Sequence, residues 1–441
     1  MKKIVKFGGS SLADANQFKK VYDIITSDES RHYVVPSAPG RRYDGDTKVT
    51  DLLYAAYYAD DEATFKKTFE EIKDRYNSII AGLKLDLSLE EEYQTIEKDF
   101  KAKIGVNYAA SRGEYLNGII LANYLGFDFI DPATCIYIDS YGNYDYKKTD
   151  AILEKTLKNH DYAVIPGFYG QANDESGAIQ TFSRGGSDVT GSVIARNSDV
   201  DLYENWTDVS GCLVCDPRIV DNPETIETIT YKELRELSYM GASVLHENSI
   251  FPIRSQGIPI VIKNTNRPQD KGTIIVESTC HKPSHIITGI AGKKDMATIM
   301  IEKDMMNAEI GFGRKVLQVL EENGLSFEHM PSGIDTMTIV VNTKDFIEKE
   351  QNVIAGIHRA VNPDSITLES GLALIAIVGR GMKDGRGTAA KIFKSLANAN
   401  INVKMIDQGS SELNIIVGVK NVHFEKAINA IYDEFITKEE A

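Results

Sequence analysis

The chain has 441 residues, 42% of them hydrophobic, and a formal net charge of −15. That length exceeds what one core organises and predicts two to four domains, while the acidity excludes general binding to nucleic acid or to anionic membrane. No stretch approaches the ~18 apolar residues of a membrane span, "MKKIVKFGG" lacks an apolar leader core, and four cysteines in so long a chain suit a reducing cytoplasm.

In chain order, "KIVKF" and "YVVPSA" read as strands, with "NQFKKVYDIIT" between them as an amphipathic helix. Residues 60–103 are charged, helical in pattern and without strands, and read as a helical insertion or lid. "GEYLNGIILANYL" is the next helix, with Arg112 and Glu114 just before it or in its first turn. "DFIDPA" and "CIYIDS" follow as strands, "AILEKTLKN" as a helix, and "YAVIPGFYG" and "AIQTFSRGG" as strands. "SDVTGSVIARN" is a helix, "DLYENWTDV" a strand, the stretch from Tyr231 to Gly257 one or two helices, and "PIVIKNT" a strand. The alternation predicts an α/β fold, a largely parallel sheet with helices on both faces and ligands at the carboxyl ends of its strands.

The last third repeats itself. "LEENGLSFEHMPSGIDTMTIVV" from Leu320 aligns without a gap on "LANANINVKMIDQGSSELNIIV" from Leu396, an offset of 76 residues. Gly311 and Lys315 match Gly387 and Lys391 upstream, and Gly333 matches Gly409. Each copy predicts a small α+β module of strand, helix, strand, turn, strand and helix. With no clustered acid–base residues, the duplication suits regulation or dimerisation better than catalysis.

Four stretches carry chemistry. "KFGGSS" places Lys6 at the lip of a strand, with Gly8, Gly9 and Ser10 offering close backbone amides to an anion. "SRGEYL" holds Arg112 and Glu114 near a helix N-terminus. "SRGGSD" puts Arg184, two glycines and Asp188 at a second strand-to-helix junction. "WTDVSGCLVCDPR" carries Thr207, Asp208 and Arg218 after a strand. Its Cys212 and Cys215 form a lone C-x-x-C with no second pair, which reads as two small buried residues rather than a metal or redox site.

With "SAPG", "VLH" and "GIPI", these motifs come in the order and spacing of the aspartokinases, which the chain resembles over nearly its whole length, within the amino acid kinase superfamily. The tail resembles tandem ACT domains. The resemblance implies a catalytic domain over 1–285 and ACT modules over 286–365 and 366–441, with an interleaved boundary left open. It implies transfer of the ATP γ-phosphoryl group, with Mg²⁺, to the β-carboxylate of L-aspartate, the first step towards lysine, threonine and methionine. Lys6 would neutralise charge on the transferred group; Gly8, Gly9 and Ser10 would cradle phosphates; Asp188 would organise the groups around them. Thr207, Asp208 and Arg218 would lie at the nucleotide. Thr50 and Glu114 would contact aspartate, Glu114 through its amino group, and Arg184 would clamp its α-carboxylate. The family often has tyrosine where this chain has Leu213 and lysine where it has Ser243, and Lys263 is a possible substitute.

A carboxylate nucleophile is already ionised at neutral pH and needs no general base, so catalysis falls to positioning and local positive charge. Another amino acid kinase, such as a glutamate 5-kinase, and a catalytically weak amino-acid sensor are the alternatives. ACT domains imply a homodimer or homotetramer and an amino-acid effector. Glu328 aligns with Lys404 across the repeat, and Glu328, Ser332 and Gly333 are the expected effector contacts, favouring lysine over threonine.

Overall fold

The computed structural model describes the chain except for residues 184, 243, 244, 246–248, 255, 280–282, 384 and 438–441. Its residues group into two compact units: Met1–Cys212 with Thr225–Leu234 and Ser243–Cys280, and Leu213–Glu224 with Arg235–Ala242 and His281–Ala441.

In the first unit, β1 (Lys3–Phe7) and β2 (Arg31–Pro36) are joined through α1 (Ala15–Thr26). Asp14 caps α1, its carboxylate accepting from the amides of Asn16 and Gln17 at 2.8 and 3.0 Å. Four helices follow without a strand: α2 (Val49–Tyr57), α3 (Glu62–Leu83), α4 (Glu90–Lys101) and α5 (Val106–Leu125). Apart from the buried Arg75, the charges that suggested a lid occupy exposed or half-buried positions on α3 and α4. Phe65, Phe69, Ile72, Tyr76 and Ile79 of α3, with Tyr93, Ile96 and Phe100 of α4, belong to the same buried cluster as Val5, Phe7 and Leu116. The segment is core, not a solvated lid.

The chain continues through β3 (Asp128–Phe129), β4 (Tyr137–Ile138), α6 (Tyr146–Leu157), β5 (Ala163–Val164), β6 (Tyr169–Ala172), β7 (Ile179–Thr181), α7 (Gly186–Arg196) and β8 (Leu202–Thr207). It then forms β9 (Thr228–Thr230), α8 (Tyr231–Tyr239), α9 (Phe251–Arg254), β10 (Ile260–Asn264) and β11 (Thr273–Val276). The main sheet has the order β3-β5-β2-β1-β8-β10-β11-β9, parallel throughout except for β10 against β11. Not every expected strand joins it: β4, β6 and β7 form a separate three-stranded sheet. Because β1 lies between β2 and β8, the carboxyl ends that carry "KFGGSS", "SAPG" and "WTDV" are neighbours.

The second unit realises the repeat with an exchange of strands. Its sheet has the order β13-β12-β14-β16-β15, with β12 (Gly289–Glu302), β13 (Thr336–Asn342), β14 (Ser365–Val378), β15 (Met405–Asp407) and β16 (Asn414–Lys420). The helices are α10 (Phe312–Glu322), α11 (Thr343–Phe346), α12 (Glu350–Val361), α13 (Thr388–Asn398) and α14 (Phe424–Tyr432). The repeat offset carries α10 onto α13 from end to end, each capped by a glycine at positive φ, Gly311 at 82° and Gly387 at 88°. β12 and β14 are long strands broken mid-way by an irregularity near Asp295 (φ 63°) and Gly371 (φ 76°). Residues 296–302 open the first copy and 365–369 close it; 372–378 open the second, whose closing place beside them is taken by 289–293 from before the first copy. The two copies are therefore interleaved through the sheet.

Phe69→Ala removes a ring only 3% exposed, and such truncations cost about 3–5 kcal/mol. Denaturant unfolding followed through Trp206, the single tryptophan, should show that loss; a solvated lid would show little.

Candidate active site

A cleft of about 660 Å³ opens at the carboxyl ends of the central strands. Gly8, Gly9 and Ser10 line it from the end of β1, residues 37–44 and Lys48 from the loop after β2, Thr50 from α2, Glu114 from α5, and Thr207 and Asp208 from the end of β8. Two of these segments are locked together. The Gly40 amide donates to the Gly9 carbonyl at 2.8 Å, a Cβ on Gly40 would stand 2.6 Å from the Gly9 carbonyl carbon, and one on Gly9 would stand 2.8 Å from the Ala38 oxygen. Only glycine fits at either place.

Lys6 is 8% exposed, and its ammonium lies 2.6 Å from Asp188 in the first turn of α7. Asn205 shares the register of Lys6 on the adjacent strand and donates its amide to Asp188 at 2.8 Å. A buried ammonium is thus held in place at the strand end by a carboxylate, itself fixed by an amide. The helix turn that carries Asp188 is set by close approach: a Cβ on Gly186 would meet the Phe168 ring at 2.4 Å.

Glu114 lies mid-way along α5, not in the first turn of a helix as its motif suggested, because the helix begins at Val106. The Ala38 amide bonds to its carboxylate, yet Oε2 is buried without a hydrogen-bond partner, and burial pushes the carboxyl up to about 8. Such a group calls for a cation. Arg112 supplies it only in part: its charge lowers the Glu114 carboxyl without overcoming burial, and its guanidinium packs 4.4 Å from the rings of Tyr108 and of Tyr115 and donates to Ser111. That arginine is a packed core residue.

Among the other expected residues, Thr207 donates to Asp208 at 3.1 Å on the cleft's rim. Arg218 is grouped with the second unit, where its exposed side chain forks onto Asp216; it is not among the residues lining this cleft. Leu213 also falls in the second unit. Arg184 and Ser243 lie outside the described residues. Lys263 sits 5.3 Å from the Trp206 ring, its pKa lowered by burial. Cys212 and Cys215 are buried free thiols, both pushed up to about 12 by burial, which leaves them inert. In the second unit, Glu328 faces Lys293 at 3.4 Å, and Ser332 and Gly333 occupy an exposed turn closed by the Gly333 amide on Thr336.

Sequence reasoning missed Asn205 and the cations of the loop after "SAPG", Arg41, Arg42 and Lys48, all of the latter lining the cleft. The signal was present in "GRRYDGDTK", a basic run between a strand end and a helix. A second groove, of about 630 Å³, lies beside α7 and α9, and Tyr144, Tyr146, Phe182, Val189, Phe251 and Pro252 are among its lining. Its arginines are committed: Arg196 pairs with Asp150 at 3.1 Å and Arg254 faces Glu277 at 3.8 Å.

Residues 1–264 match the Amino acid kinase family and residues 375–435 the ACT domain. Over 451 residues the chain is 40% identical to Aspartokinase 3 of Bacillus subtilis, covering 98% of both proteins. The chain belongs to the aspartokinases. The aspartate kinase of Clostridium acetobutylicum, described as an allosteric enzyme, superposes with a TM-score of 0.92 at 51% identity, over 98% of this chain and 100% of that one. Escherichia coli aspartokinase III in complex with aspartate and ADP shares the fold, with a TM-score of 0.77 at 22% identity, over 98% of this chain and 99% of that one.

Glu114 yields a pH prediction. Its carboxyl is raised in the folded state, so its contribution to stability is complete below the ordinary carboxyl pKa and is lost as pH rises through about 8. Between about pH 6 and about pH 9 the ligand-free protein should lose more thermal stability than its Glu114→Gln variant. Parallel melting curves for the two would refute the assignment.

Proposed function

We propose that this cleft transfers the γ-phosphoryl group of ATP to the β-carboxylate of L-aspartate, giving 4-phospho-L-aspartate and ADP. Kinship with the aspartokinases makes the chain an ATP-dependent aspartate kinase acting in the first step of aspartate-derived amino-acid biosynthesis. The observation that carries the reading to this cleft is the Lys6 ammonium, buried and oriented by Asp188 beside Gly8, which lines the cleft.

In the reaction a β-carboxylate oxygen forms a bond to the γ-phosphorus. The bond from that phosphorus to the bridging oxygen breaks, and its electron pair leaves with ADP. No proton moves, so the enzyme's task is to bring two anions together. Lys6 and the backbone donors of Gly8–Ser10 offset the charge developing on the transferred group. Glu114 takes the substrate ammonium, which restores its ionised form by opposite charge. Thr50 contacts the same amino acid, and Arg184 engages the α-carboxylate, leaving the β-carboxylate free to attack. Thr207 and Asp208, at the end of β8, serve the nucleotide side.

Mg²⁺ would arrive on the triphosphate. It keeps waters and phosphate oxygens as ligands and needs only one or two carboxylates, which fits a site where the exposed Asp208 stands on the rim and where no cluster of three metal-ligating side chains occurs among the described residues. When bound it would shield the phosphate charge.

Lys6→Ala should lower kcat far more than it raises KM for aspartate, by the ~2.7–4 kcal/mol typical of one lost electrostatic donor. Aspartate-dependent ADP release, with glutamate as control, is the assay; near-native kcat would remove Lys6 from the reaction.

Regulation is assigned to the repeated unit, as a homodimer or homotetramer with L-lysine as the favoured effector and threonine the alternative. Glu328 is already matched to an ammonium, that of Lys293, which also lies 4.0 Å from the Tyr239 ring. A free lysine would take that ammonium's place, with Ser332 and Gly333 alongside. Glu328→Ala should therefore weaken lysine inhibition and Lys293→Met should strengthen it, both with uninhibited kcat retained. Equal effects of the two variants, or inhibition by threonine alone, would refute the assignment. No helix among the described residues is long and apolar enough to cross a membrane, and a cytoplasmic location fits the chemistry.

A further inference from the structure

The two walls of the cleft are braced from behind by one helix. Arg75, on α3, has a side chain only 3% exposed. Its guanidinium donates to the Gly40 carbonyl at 2.9 Å, to Asp46 at 2.8 Å and to the Thr47 carbonyl at 3.2 Å. All three acceptors lie in the loop after β2. Arg42 binds the same Asp46 through Nε and Nη2, both at 2.9 Å, so one buried carboxylate ties the loop's own cation to the helix. The next residue, Tyr76, is fully buried and donates to the Gly113 carbonyl at 2.7 Å. Gly113 precedes Glu114 on the opposite wall.

The walls touch at this level. A Cβ on Gly113 would stand 2.8 Å from the Ala38 Cβ, Asn117 donates to the Ser37 carbonyl at 2.6 Å, and the Ala38 amide bonds to the Glu114 carboxylate. We propose that Arg75 and Tyr76 are positioning residues for phosphoryl transfer: consecutive side chains of α3 that fix the spacing between the loop after β2 and α5, and so place Glu114 and Thr50 for the amino-acid substrate. Stability alone is a poor explanation for Arg75, since a buried ion pair is often no more stabilising than well-packed apolar residues. What the arrangement supplies is a fixed loop path. A tyrosine hydroxyl aimed at a carbonyl that already sits in a helix adds direction rather than a missing bond.

The inference rests on the cleft being the aspartate site, and its test separates the two. Tyr76→Phe keeps the ring and removes one hydrogen bond; Arg75→Lys keeps the charge and loses the fork; Arg75→Met loses both. In the full chain, Tyr76→Phe should raise KM for aspartate roughly 3- to 10-fold, the range of one net hydrogen bond, with KM for ATP unchanged. Arg75→Met should exceed that, and Arg75→Lys should recover part of it. In a Glu114→Gln background, Tyr76→Phe should add little, because its effect runs through Glu114. Lowered melting temperatures with native aspartate KM, or full additivity with Glu114→Gln, would make both residues merely structural and overturn the proposal. Near-native kcat in Lys6→Ala would instead overturn the reading of the cleft on which it stands.

Discussion

The first unit depends on a contact between two backbones. The Gly9 carbonyl accepts the Gly40 amide, and neither residue has room for a Cβ. That contact joins the ends of β1 and β2 into one floor, which the Gly8 amide extends to the Trp206 carbonyl of β8 at 2.9 Å and the Ser37 amide to the Phe7 carbonyl at 3.0 Å. Three adjacent parallel strands thus end in a backbone surface with little side-chain bulk. A phosphate needs close approach to amides, and close approach needs this absence. The side chains that line the cleft beside it, Thr50, Glu114 and Asp208, come from the margins of that floor, and Lys6 lies beside Gly8.

The electrostatic problem is solved in the same local way. A chain of net charge −15 has no attractive global field for a nucleotide, yet the cleft wall carries Arg41, Arg42 and Lys48, and Lys6 lies beneath. The carboxylates nearby are already assigned. Asp46 lies well below the usual carboxylate range because Arg42 hydrogen-bonds to it, and Asp188 faces Lys6. Deeper in the sheet Glu204 is buried between Lys3 at 3.3 Å and Arg31 at 2.9 Å. Of these acids Glu114 is the one with a buried oxygen that has no hydrogen-bond partner, and burial raises its carboxyl.

Much of this was legible in the sequence, for reasons that differ by element. The strand ends were readable because apolar runs broken by glycine and hydroxyl residues have few other uses: Lys6, Gly8, Gly9, Ser10, Thr207 and Asp208 fell where the alternation placed them. The repeat was readable because residue types recur without a gap at one offset, among them Gly311 and Gly387, which prove to cap matching helices at positive φ. What escaped was tertiary. Arg112 resembles an anion ligand until three aromatic rings are found around it. The segment from 60 to 103 looked solvated because its charges outnumber its apolar residues, although Phe65, Phe69, Ile72, Tyr76 and Ile79 keep the helical period of a buried face. Arg75 lies beside that stripe, a charged residue where the pattern calls for an apolar one. Such a local violation is a readable sign of a buried polar role, but two of its three acceptors, the Gly40 and Thr47 carbonyls, are backbone atoms that a motif does not name.

The repeated unit shows how a duplication can lose its symmetry without losing its fold. Positions related by the offset hold ion pairs of opposite polarity: Glu328 faces Lys293, and Lys404 faces Glu369 at 2.7 Å. Each pair is neutral, so the exchange costs the fold little, and the strands that carry them keep matching places in the interleaved sheet. A ligand meets different chemistry at the two places. One presents a carboxylate on the strand-edge segment beside β13, the other an ammonium just before β15. Between the edges, His329 lies 2.8 Å from Asp407, tying the first copy's edge segment to the second copy's β15. Two copies of one module therefore carry inverted ion pairs at equivalent places, so that a shared fold holds locally distinct chemistry.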